Sequence, residues 1–149
     1  DALQKVANNV TSVALTDTTP ALSITATQFK KDATVLAKIS GTYTLNVRNV
    51  SASSAATVAT NAKVTSIDVS DSSSAVANNI AALQSNTKIN QITQTGTVAP
   101  LSLTAAQYAA NTGALAKIAG ERTNGVNIRA THERAGEILA AAKLTHKNS

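Results

Sequence analysis

The chain has 149 residues, long enough for one domain to bury most of its apolar surface, and its 13 Lys and Arg outnumber 8 Asp and Glu for a net charge of +5. With no cysteine it holds no disulfide staple, thiolate metal site or cysteine nucleophile. Phe29, Tyr43 and Tyr108 are its only large aromatic side chains, so the interior has to be made of Ala, Val, Leu and Ile in closely approaching layers.

The chain begins at Asp1 without a signal-like stretch, as expected of a mature or excised segment. After a helical ALQ (2–4), a first strand begins near Val10, with Ser12, Ala14 and Thr16 on its outward side. Leu22 and Ile24 form a short extended piece. Thr25-Ala-Thr-Gln28 is then a capping box, the Thr hydroxyl accepting from a free first-turn amide while Gln reaches back. Phe29, Ala33, Leu36 and Ile39 follow at helical spacing as one apolar face. Tyr43, Leu45 and Val47 alternate as a strand, Ser51 is placed to cap the helix that ends before Val64, and Val64, Ile67 and Val69 point inward from a second strand while Ser66 and Asp68 point out. Asp71 is placed to cap the helix that carries Val76, Ile80 and Leu83. A strand from Ile89 turns Gln91 and Thr93 outward, Leu101 and Leu103 repeat the short extended piece, and Thr104-Ala-Ala-Gln107 repeats the capping box before a face of Tyr108, Thr112, Leu115 and Ile118. The longest apolar run, Ile138 to Ala142, belongs to an amphipathic helix and is far short of the roughly 18–20 residues that span a bilayer.

Much of the chain is written twice. Residues 10–39 align with 89–118 without a gap and with about a third of positions identical, LNVR (45–48) answers VNIR (126–129), and AATVATNAKVT (55–65) answers AGEILAAAKLT (135–145). Strand starts recur at Val10, Ile39, Val64, Ile89, Ile118 and Leu144, a spacing of about 25–29 residues that suits solenoid coils. The expected fold is therefore a right-handed α/β solenoid, a parallel sheet on one side and short helices on the other, with about five coils in two super-repeats of roughly 80 residues. Ala59, Ala62, Ala81 and Ala116 would let its layers approach. One repeat domain fills 1–149: regular coils over 1–118, then a divergent C-terminal capping coil over 119–149, where KLTHKNS (143–149) replaces the inward Ile67 and Val69 of KVTSIDV (63–69) with Lys147 and Ser149.

No P-loop, G-x-G-x-x-G, G-x-S-x-G or H-E-x-x-H occurs, and no catalytic, metal or cofactor-binding residue is assigned. His132 with Glu133, Arg134 and Glu137 reads as an exposed helical face, and His146 as part of the tail. Asp17, Asp68 and Asp71 stand apart from one another, unlike calcium ligands. The basic residues are spread singly with almost no rings for bases to stack on, which argues against nucleic acid as a partner. Lys38, Lys63, Lys88, Lys117 and Lys143 recur at helix-to-strand junctions, where a cation suits the negative end of a helix; aligned, they would also form an edge for anionic polysaccharide or cell-surface glycan. The outward Thr pairs do not make an ice-binding ladder, because Ser66, Asp68 and Arg48 interrupt them. Asn9-Val-Thr and Asn49-Val-Ser are formal glycosylation sequons.

LSLTAAQYAANTGALAKI, YTLNV and AATVATNAKVTSIDVSDSSSAVANNIAALQ together resemble the tandem Ala/Thr-rich α/β repeats of large bacterial exported proteins, adhesin-like and type I-secreted. The resemblance covers 1 to about 118 and implies an extracellular or cell-surface place without transferring any binding residue. The expected function is a non-enzymatic structural repeat segment, a stalk, surface-layer or filament component whose partner is itself by coil stacking or end-to-end association. The alternative is a carbohydrate- or surface-binding adhesin module.

Overall fold

Strand alternation and capping signals produce short elements in this chain. In the computed structural model, which describes residues 2–97, 99–119 and 126–129, the order is α1 (Ala2–Lys5), β1 (Val13–Ala14), β2 (Ala21–Thr25), α2 (Ala26–Lys31), α3 (Ala33–Leu36), β3 (Ile39–Ser40), β4 (Thr44–Val50), α4 (Ala55–Ala59), β5 (Val64–Asp71), α5 (Ser73–Asn78), α6 (Ile80–Ser85), β6 (Ile89–Gln94), β7 (Leu101–Thr104), α7 (Ala105–Ala110), α8 (Thr112–Ala116) and β8 (Val126–Arg129). Short 3-10 turns lie at Ala7–Asn9 and Ala52–Ser54.

Both expected capping boxes form. Thr25 accepts from the Gln28 amide at 3.2 Å and Thr104 from the Gln107 amide at 3.1 Å, and each Gln side chain accepts in return from the Thr amide at 2.9 Å. The helices they start are shorter than the apolar spacing suggests. Asp32, Asn79 and Asn111 leave helical geometry, with ψ of 16°, 10° and 29°, and divide α2 from α3, α5 from α6 and α7 from α8. Short polar side chains offer the backbone a competing partner: Asn79 Nδ2 donates to the Ala75 carbonyl at 2.9 Å and Asn111 Nδ2 to the Gln107 carbonyl at 2.5 Å. Of the two expected single-residue caps, Ser51 precedes the Ala52–Ser54 turn without a side-chain cap bond. In place of Asp71, Ser72 caps α5 by accepting from Ala75 at 3.2 Å.

All strand pairs among the described residues are parallel, an arrangement that needs crossover connections such as the helices here supply. The main sheet has four strands in the order β2-β4-β5-β6, flanked by the two-stranded pairs β1-β3 and β7-β8. Leu45, Val47 and Val50 of β4 and Val64, Ile67 and Val69 of β5 are none of them more than 1% exposed. Val76, Ile80 and Leu83 cover them from the helical side, and one core cluster runs from Tyr43 to Ala114. The β4–β5 register shifts between Val47 and Val50. Asn49 absorbs the shift in the left-handed region at φ 57°, which Asn tolerates better than most residues. Close approach between layers comes from small residues, though not from those expected. Ala52, Ala55, Ala77, Ala105 and Ala114 are buried, whereas Ala62, Ala81 and Ala116 are exposed and Ala59 half-buried.

The expected solenoid of about five coils in two super-repeats is corrected by this arrangement, and with it the likeness to tandem exported repeats. The chain forms one α/β domain around one core, in which the two sequence copies take unequal places. β2 joins the four-stranded sheet through β4, while its copy β7 pairs only with β8 among the described residues. Val13 and Ala14 form the minor pair with β3, while the matching Ile92 and Thr93 lie inside β6 of the main sheet. The packing differs accordingly. A Cβ on Gly113 would meet the Gln84 side-chain amide at 3.0 Å, and Ala114 beside it is 1% exposed and donates its amide to Gln84 Oε1 at 2.6 Å. The matching Thr34 and Val35 are exposed and half-buried. The two copies thus share a sequence pattern while meeting different neighbours. Of the expected C-terminal coil over 119–149, only residue 119 and β8 are among the described residues.

Candidate functional site

The polar side chains that sequence singles out are spent largely on the backbone. At each expected lysine junction within the described residues the main-chain carbonyl accepts from a neighbouring strand: Lys38 from Val13 at 2.8 Å, Lys63 from Leu45 at 2.7 Å, Lys88 from Ile67 at 2.8 Å and Lys117 from Ile92 at 2.9 Å. Two of the ammonium groups then donate to main-chain carbonyls where a preceding helix or 3-10 turn ends, a place that suits a cation. Lys88 donates to Ala59 and Asn61 at 2.7 and 3.1 Å, and Lys38 donates to Ala7 and, at 2.6 Å, to Val10. Lys63 instead stands 4.7 Å above the Tyr43 ring, whose hydroxyl donates to the Leu36 carbonyl at 2.9 Å. Lys143 lies outside the described residues.

Asp71 is a hub of a similar kind. Its carboxylate accepts from the Ala52 amide at 2.9 Å and from the Ser72 amide at 2.8 Å, and its carbonyl accepts from Thr95 at 2.8 Å. It thereby joins the end of β5 to the turn after β4 and to the loop after β6. Asp68 accepts from Asn90 Nδ2 at 2.9 Å on the outward side of the sheet. That side also carries the cross-strand row Ser23, Asn46 and Ser66, together with exposed Arg48, Gln91 and Thr93. Among the described residues no group of His, Cys, Asp and Glu is disposed to hold a metal ion, and no helix is long and apolar enough to cross a membrane. His132, Glu133, Arg134, Glu137 and His146 lie outside the described residues.

One concavity of about 380 Å³ lies between α4 and α6, lined by Ala56, Ala59, Thr60, Ala82, Ser85, Asn86, Thr87 and Lys88. It is a broad, open depression. The Lys88 ammonium on its wall is held by Ala59 and Asn61, and Asn86 Nδ2 donates to the Ala55 carbonyl at 3.2 Å.

The feature that stands apart is the β2 end of the sheet. At the opposite end, β6 is continued by a bridge from Ile92 to Ile118, with the Ala119 amide on the Ile92 carbonyl at 2.8 Å. Among the described residues β2 pairs on one side only. Thr44 donates to the Pro20 carbonyl at 3.0 Å, so by the alternation of a parallel ladder Leu22 and Ile24 bond towards β4 while the amide and carbonyl of Ser23 face away from it. The apolar residues behind this edge are incompletely covered: Leu15, Leu22, Ile24, Phe29, Leu36 and Ile39 are only half-buried against the core. In the second copy Tyr108, Leu115 and Ile118 are half-buried like Phe29, Leu36 and Ile39, but the strand itself differs: Leu101 and Leu103 of β7, packed against α5, are 2% and 1% exposed. Sequence reading places Leu22 and Ile24 in an extended segment but misses that this segment is an edge. The signal lies in the pairing of Thr34-Val35 with the smaller Gly113-Ala114, which marks the second copy as the more tightly packed.

The class defined by these observations is a small α/β domain whose strand pairing, among the described residues, is all parallel and leaves the β2 edge open. No protein-family model, curated protein or solved structure matches the chain. The expected role as a stalk, surface-layer or filament repeat is corrected together with the fold, because the described chain is one domain with one core. The adhesin alternative is corrected as well: the described surface offers an open depression whose cation is already occupied, and two of the lysines meant to form a glycan-binding row are held by carbonyls.

Proposed function

We propose that this chain is a non-catalytic association domain that pairs with a second copy of itself through the β2 edge, and that it works outside the cell. The half-covered state of Leu22 and Ile24 carries the reading, beside buried Leu101 and Leu103 in the matching strand. Natural edge strands are usually blunted by Lys, Pro or a bulge. ALSIT (21–25) has neither Lys nor Pro, and its β4 register runs without a shift. A strand added here would satisfy the outward Ser23 amide and carbonyl and cover the apolar residues behind. The use of Lys38, Lys88, Asp71, Asn79 and Asn111 as backbone partners supports a non-catalytic role. An exposed surface rich in Ser, Thr and Asn, with only 14% charged residues overall, supports the extracellular placement.

Sedimentation velocity over a hundredfold range of concentration tests the association. The expected result is reversible growth beyond the monomer. Ser23→Pro, which removes an outward amide without touching the β4 ladder, and Ser23→Lys should both hold the protein monomeric with an unchanged circular dichroism spectrum. A wild-type chain that stays monomeric throughout overturns the proposal.

A further inference from the structure

We draw no further inference here: the strongest candidate, the open depression between α4 and α6 lined by Ala56, Ala59, Thr60, Ser85 and Lys88, has its cation held by main-chain carbonyls, and nothing in the structure shows what covers it.

Discussion

At the residue scale, the helix breaks give the sharpest contrast between the two copies. Asn111 is 4% exposed and spends its amide on the Gln107 carbonyl, and Asn79 does the same for Ala75. Asp32 occupies the matching place in the first copy, but a carboxylate has no N–H to give, and its buried Oδ1 has no partner among the described residues. Asp32→Asn should therefore stabilise the fold by about 1 kcal/mol, the net worth of one such bond. In thermal denaturation that is a rise of roughly 2–4 °C for a domain of this size; no rise would show that the introduced side-chain amide does not reach the Gln28 carbonyl. The lysines make the opposite prediction. Lys88→Met keeps most of the side-chain stem but leaves the Ala59 and Asn61 carbonyls without their cation, and it should cost about 1.5–3 kcal/mol in urea unfolding. A neutral Lys88→Met would mean that water replaces the ammonium without loss. Asp71→Ala, which frees the Ala52 and Ser72 amides together, should cost about 1–3 kcal/mol by the same measurement.

At the element scale, β2 and its copy β7 differ in burial, and truncations should report the difference. Leu103→Ala removes a side chain that is 1% exposed and should cost about 2–5 kcal/mol. Leu22→Ala at the half-covered end should cost clearly less when measured in monomer at low concentration. Equal costs would mean that β2 is as well packed as β7. The comparison also explains which parts of the architecture are legible in sequence. The T-x-x-Q boxes, the inward sides of β4 and β5 and the parallel pairing follow from local spacing, because caps and alternation act within a few residues. The helix breaks are hidden by the same apolar spacing that suggests single helices: Val76, Ile80 and Leu83 do form one buried row, but it crosses the break at Asn79. The global arrangement is not legible because sequence identity between copies does not report neighbours. Thr34-Val35 and Gly113-Ala114 occupy one position in the pattern, and only the second pair lies under Gln84.

At the scale of the whole molecule, a core with so few rings has to gain its density elsewhere. It does so through buried alanines beneath short helices and through branched residues on paired strands, so that Tyr43 is the one ring within the buried cluster among the described residues. Such a core tolerates little added volume, since interiors pack near the density of organic crystals. Ala114→Val, which restores the residue type of Val35 in the first copy, should destabilise the protein by about 1–3 kcal/mol by adding volume at a position that is 1% exposed within the core cluster. If it proves neutral in urea unfolding, the core around Ala114 has room for two more methyl groups and is looser than its 1% exposure indicates. The open sheet edge belongs to this scale as well, because its half-covered residues sit at one end of the core and not in a pocket.

The half-covered end also fixes where the native state opens first. Each main-sheet strand lies beside the next in the order β2-β4-β5-β6, so β2 can detach without breaking any other ladder, whereas β5 cannot leave without disrupting both of its neighbours. Amide hydrogen exchange in the monomer should follow that order, fastest for the β2 amides and slowest for Ile67 and Val69, because local opening requires far less free energy than global unfolding. Association through β2 would slow exchange at the very strand that otherwise frays, making the time course of a few amides a direct count of occupied edges.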